Sequence, residues 1–248
     1  MRAIFSPAIP SILGGLLAGC TPDPGADDTV AYAEALTAVR ADPTTAAVAC
    51  ARVGDLDLRA DCTTAAVEVL ALDREPAAAE LCRSLPEGVG RDECWFQLAD
   101  VSGSAAWCGD AGRFRDDCRM HLWTQLLLAR LPRNSTPAEA VTAARPLLAQ
   151  TDFTEDDGRP WVAVFRMSLG PRRPFDRSLC DAIEDATLTG ICRDAGRDLY
   201  GDLLNHARDK GRFPCDGGPL PTELQTAPDP ELAALVEARR EVDLCPPG

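Results

Sequence analysis

Apolar residues recur along this chain at helical spacing, in blocks interrupted by proline, glycine and acidic residues. Cys62, Ala66, Val69 and Leu70 form one such block; Cys94, Leu98 and Val101, then Cys118, Leu122 and Leu126, then Cys192, Ala195, Leu199 and Leu203 form three more. Positions three and four apart lie on one side of an α-helix, so each block predicts a helix with a single buried stripe. Pro43, Pro76 and Pro174 stand six or seven residues before another cysteine of each unit. A fixed φ and a missing N–H are tolerated in a first helical turn, so these prolines are expected to start a preceding helix. Arg59-Ala60-Asp61, Arg91-Asp92-Glu93 and Arg115-Asp116-Asp117 are expected to open the second helix, where acidic side chains suit free N–H groups and the positive dipole end. Helical hairpins are therefore predicted over 43–73, 76–102, 104–130 and 174–209.

A fifth hairpin, 137–169, is read from a different signature. Thr136-Pro137-Ala138-Glu139 is a capping box with proline at the first helical position, followed by Ala140, Val141, Ala144, Leu147 and Leu148. Pro146 should end that helix, and Trp161, Val162, Val164, Phe165 and Leu169 form the second arm beyond the acidic loop Thr154 to Gly158. Asp229-Pro230-Glu231 starts a terminal helix that would make 215–245 a cap. The predicted class is all-α: disulfide-stapled helical hairpins forming an irregular solenoid or a helical bundle, in one domain over 29–248.

The staples follow from the cysteines. Paired spacings are 12 for Cys50 and Cys62, 12 for Cys82 and Cys94, 10 for Cys108 and Cys118, and 12 for Cys180 and Cys192. Both members of a unit lie at the turn end of one hairpin, so a short linker brings them together at little loop-closure cost. Cys215 and Cys245 pair by elimination. Zinc is the competing use of cysteine, but there is no C-x-x-C pair and there are only 2 histidines, His121 and His206. No metal site or cofactor is expected.

The N-terminus supplies the compartment. Met1 and Arg2 precede an apolar run from Ala3 to Leu17 that is broken by Pro7 and Pro10 and closes on Ala18, Gly19 and Cys20. This is the layout of a cleaved export signal, residues 1–19, and the run is too short and irregular for a membrane-spanning helix. Leu17-Ala18-Gly19-Cys20 resembles the bacterial lipobox. That resemblance implies a lipidated Cys20 carrying diacylglycerol and usually a further fatty acyl group such as palmitate. It also implies export and membrane attachment through the N-terminal lipid. Thr21, rather than Asp, after the cysteine implies outer-membrane delivery. The Pro-, Gly- and Asp-rich stretch 20–28 is then expected to be a flexible tether. Stacked hairpins over residues 43 to 209 also resemble tetratricopeptide and Sel1-like solenoids in architecture, although the signature residues of both are missing.

Composition narrows the chemistry. Net charge is −14, and loss of Arg2 with the signal makes it −15, which repels nucleic acid and anionic surfaces. Aromatic residues are 5% of the chain and alanine is abundant, so tight small-residue packing is expected and a large aromatic core is not. Hydrolase, metalloprotease and nucleotide-binding motifs are missing. His121 reads as a half-buried or surface helix residue and His206 as a cation near a helix C-terminus. Glu155, Asp156 and Asp157 lack EF-hand spacing and read as a solvated loop. Trp95, Trp107, Trp123 and Trp161 read as packing residues. The expected function is a non-catalytic envelope lipoprotein whose helical surface binds another envelope protein. The alternative is an enzyme or ligand-binding protein with a cleft gathering carboxylates from separate units.

Overall fold

The computed structural model describes residues 24–170, 174–215, 218–240 and 244–245. Cys20 and the signal segment lie outside the described residues, as do 171–173, 216–217, 241–243 and 246–248. Among the described residues there are ten α-helices, some of them joined through short 3-10 turns: α1 Pro24–Ala41, α2 Ala46–Cys50, α3 Leu56–Leu70, α4 Glu75–Ser84, α5 Val89–Ser102, α6 Arg115–Arg130, α7 Pro137–Ala144, α8 Gly158–Leu169, α9 Ala186–Asp209 and α10 Pro230–Arg239. The all-α class stands. Among the described residues the extended pairing is one isolated bridge, Phe175 with Thr226, and no helix is long and apolar enough to cross a membrane.

Strongly packed elements are neighbours or near neighbours in the chain: α1 lies on α2 and α3, α3 on α5, α5 on α6, α6 on α7 and α8, and α8 on α9. That succession is the quasi-one-dimensional arrangement of a stack. Four pairs form as their spacing predicts, Cys50–Cys62, Cys82–Cys94, Cys108–Cys118 and Cys180–Cys192, and Cys215–Cys245 forms as elimination left it; all five have Cα atoms 5.5–5.8 Å apart. Helices α3 and α5, which no bridge joins, also approach closely: a Cβ at Gly90 would sit 2.5 Å from the Ala60 Cβ.

Four expectations need correction. First, in three of the four stapled units the arm before the staple is shorter than a full α-helix, α4 of unit two being the exception. Unit one uses a 3-10 turn, Pro43–Thr45, leading into the five-residue α2, whereas units three and four use only 3-10 turns, Ala105–Asp110 and Arg177–Ala182. Pro174 starts no helix; it precedes Phe175, whose N–H and C=O bond Gln225 and Ala227 across the bridge. Second, α3 begins at Leu56 because Asp55 accepts from the N–H groups of Asp57 and Leu58, and α5 begins at Val89. Arg59–Asp61 and Arg91–Glu93 thus lie inside their helices. Third, α1 occupies Pro24–Ala41 and takes in the latter part of the expected tether. Asp28 accepts a 2.6 Å hydrogen bond from the Gly54 N–H, which ties α1 to the turn before α3.

The fourth correction concerns the core. Residues up to Leu122 bury mainly Ala, Cys, Val and Leu, with Trp95 the large exception. From Trp123 onward the buried cluster includes Trp123, Trp161, Phe165, Phe175 and Tyr200. Apart from Trp95, the buried aromatics are gathered into one half, so a substantial aromatic core forms despite the low overall content. The two clusters meet at α6, where Cys118 and Leu122 face the first and Trp123 and Leu127 the second.

The C-terminal cap is fixed by a buried guanidinium. Arg177 donates to both Asp229 carboxylate oxygens, at 2.9 and 3.1 Å, and to Glu231 at 2.6 Å. Asp229 also accepts from the N–H groups of Glu231 and Leu232 and so caps α10. Burial alone would raise the Asp229 pKa, but Arg177 and these N–H donors outweigh it and hold the carboxyl below its ordinary value. Gly196 of α9 makes the slot, since a Cβ there would lie 3.1 Å from the Arg177 Cγ.

Candidate functional site

The sequence candidates do not converge. His121 Nε2 lies 2.6 Å from Asp100 Oδ1 between α6 and α5 and packs beside Phe96, half-buried. His206 is exposed in the last turn of α9. Trp95 stacks on Trp107 with ring centroids 5.6 Å apart, and the Trp107 indole donates to Glu75. Trp123 and Trp161 are fully buried and donate to the Pro160 and Glu155 carbonyls at 2.8 and 3.0 Å. All four therefore have packing roles. Among the described residues there is no group of three or more His, Cys, Asp or Glu that could hold a metal ion.

The acidic loop is also consumed locally. Glu155 pairs with Arg145 at 3.1 Å. Asp157 accepts from the Thr154 N–H at 2.8 Å, and this backbone hydrogen bond outweighs its slight burial and holds its carboxyl below the ordinary value. Asp156 is exposed. No carboxylate-lined cleft results from these three.

One concave feature that joins separate units lies at the seam where the two cores meet. On one side is α6, with Arg115 and Arg119 four residues apart and so on one face. Across from them runs the 3-10 turn Arg145–Gln150 and the loop after it. Arg119 crosses the seam: its guanidinium donates to the backbone carbonyls of Thr151 and Asp152 and stacks 4.3 Å from the Phe153 ring centroid. Arg115 donates to the Gly109 carbonyl at 2.8 Å. Ala105, Ala106, Gly109, Ala149, Gln150 and Asp152 line the remaining space, a concavity of about 520 Å³. A smaller hollow of about 110 Å³ on the other side of Arg119 is lined by Phe153, Asp157 and Pro160.

Sequence reasoning singled out the acidic loop and overlooked the arginines beside it. The i, i+4 spacing of Arg115 and Arg119 was visible, but the alanine walls come from segments more than thirty residues apart. No protein-family model, curated protein or solved structure matches this chain.

Proposed function

We propose that this chain is a lipid-anchored protein of a bacterial cell envelope whose helical stack is a scaffold for docking another envelope protein. The observation that carries this reading is the combination of five intramolecular disulfides with an N-terminal apolar run ending on Leu17-Ala18-Gly19-Cys20. Disulfides persist in oxidising compartments, and a signal ending on a lipobox-like sequence leads there. Diacylglycerol plus an amide-linked acyl chain exceeds the two-signal threshold for stable membrane attachment. Thr21 after the cysteine favours the outer membrane as destination. The strongly acidic balance argues against nucleic acid as partner.

Docking is supported by the distribution of exposed large apolar side chains. Among the described residues six of the seven exposed large apolar side chains, Val30, Val48, Leu56, Val69, Leu72 and Val89, precede residue 90; Leu128 is the seventh. A stack also presents a long surface relative to its core, as repeat proteins that bind partners do.

The anchor is tested by radiolabelled palmitate and cell fractionation. The natural chain should be labelled and sediment with membranes, and Cys20→Ala should be unlabelled and released. An unlabelled natural chain refutes the anchor. Docking is tested with a photoreactive residue placed in turn at Val48, Leu56, Val69 and Leu72 in living cells. One discrete adduct with an envelope protein is expected, and no adduct from any site refutes the scaffold.

A further inference from the structure

We propose that the seam concavity is a binding site for a small oxyanion, a carboxylate or a phosphate, held by Arg115 and Arg119. Each guanidinium carries five N–H donors in a planar fork suited to two-oxygen acceptors. Arg115 spends donors on the Gly109 carbonyl, and Arg119 on the Thr151 and Asp152 carbonyls. Neutral carbonyls hold both side chains in place without pairing their charge; Asp157 acts on Arg119 through space only, beyond salt-bridge distance. Among the described residues neither has a carboxylate within salt-bridge distance.

The acids nearby are committed elsewhere. Asp116 pairs with Arg159 at 3.2 Å, Asp92 with Arg113 at 3.3 Å, and Asp157 with Thr154. Other concavities differ on this point. In the hollow between α7 and residues 182–185, Arg145 is paired with Glu155. In the hollow between α9 and α10, Arg197 lies 3.9 Å from both Asp194 and Asp198. At the seam, two positive charges line a space whose other walls are three alanines, Gly109, Gln150 and Asp152. Pockets favour such junctions between packed units, and the alanine walls fit a compact carbon body attached to the anionic head. Asp152 is among the lining residues, and its negative charge favours a ligand with a single anionic group over a polyanion.

The site is read directly from arginine side-chain N–H signals by NMR, on the full exported chain in detergent micelles with its disulfides formed. The probes are acetate and inorganic phosphate, with chloride at matched ionic strength as control. Saturable shifts of the Arg115 and Arg119 Nε–H signals are expected in the millimolar range, and the tighter of the two probes identifies the head group. Arg115→Met should weaken binding about tenfold, the size of one lost charge-assisted hydrogen bond pair. Asp152→Asn, which leaves its backbone carbonyl in place, should strengthen binding severalfold. Shifts that are linear in concentration and equalled by chloride would overturn the site. So would saturable binding that Arg115→Met and Asp152→Asn both leave unchanged, since an ion bound elsewhere on the surface behaves that way.

Discussion

The two halves of the stack reach stability by different means. Before residue 123 three disulfides fall within about seventy residues and the buried side chains are mostly small. After it the bridges are sparser, and the largest fully buried side chains, Trp123, Trp161, Tyr200, Phe165 and Phe175, are concentrated there. Alanine buries little apolar area per residue, so ordering a chain of alanine-rich helices gains little against backbone entropy. A bridge acts on the other side of that balance, by restricting the unfolded chain. Aromatic side chains gain area and ring contacts directly, as Phe175 does against Tyr200 at 5.6 Å. The contrast teaches that the first half is held chiefly by covalent limits on its unfolded state and the second chiefly by burial.

Reduction should break this contrast most visibly. A loop of this length contributes about 3 kcal/mol in the chain-entropy model, so three bridges together rival the roughly 5–15 kcal/mol net stability of a whole domain. After reduction under native conditions, amides of α3 and α5 should exchange freely while those of α8 and α9 keep much of their protection. Equal loss in both halves, followed by hydrogen exchange, would contradict a division between staples and aromatics.

Trp161→Ala makes the converse cut. Removing a fully buried indole should cost about 3–5 kcal/mol and selectively expose α8 and α9. Urea unfolding with peptide-resolved exchange measures both, and a loss below about 1 kcal/mol would show that the aromatic cluster is not what holds the second half.

Arg177→Met sharpens the comparison at the C-terminal cap. Breaking a buried ion pair on one side should cost about 3 kcal/mol, because Asp229 keeps its charge and loses its main partner. The sign with pH is fixed by the lowered Asp229 pKa: this contribution is present above the unfolded value of about 3.9 and is lost as pH falls through the lower folded value. Melting curves of the natural chain and Arg177→Met should therefore converge in acid. Curves that stay equally far apart at low pH would separate Arg177 from the Asp229 carboxylate.

Much of this organisation could be read in the sequence, for reasons that differ by element. Four bridges were legible because each joins residues near in the chain at a spacing of 10 or 12, which fixes the register, and Cys215–Cys245 was left by elimination. The capping box at Thr136 and the Asp229-Pro230 start of α10 were legible because they are local chemistry, and both side chains do accept from the predicted N–H groups. Helix α1 was not legible: its start is rich in Pro, Gly and Asp, and Asp28 finds its partner 26 residues away. Asp55 and Asp185 could have been found, as each is an acidic residue just before a helical run, but the Arg-Asp triplets drew attention inward. The clustering of aromatics and the alanine walls at the seam depend on which units stack against each other, and composition carries no information about that. The same holds for Arg177, whose partners lie more than fifty residues downstream.

The smallest expected effect lies at alkaline pH, where Tyr200 tests how dry the second core is. Its hydroxyl donates to the Leu224 carbonyl at 2.8 Å, and burial pushes its pKa from 10.0 up to about 12. A raised folded pKa means that the unfolded chain ionises first, so stability is complete below pH 10 and is lost as pH rises through 10 towards 12. Two units correspond to about 2–3 kcal/mol at the far end of that window, and to about half as much at pH 11. Few other groups complicate the range: the chain has one lysine, Lys210, and one other tyrosine, Tyr32. Arginine stays protonated throughout. Tyr200→Phe should cost about 1 kcal/mol at neutral pH through the lost hydrogen bond, and should flatten the alkaline decline. Rapid urea unfolding at pH 9, 10 and 11, before hydroxide attacks the disulfides, measures both terms. If the decline is as steep in Tyr200→Phe as in the natural chain, ionisation of this buried hydroxyl is not its cause, and the second half admits water more readily than its packing implies.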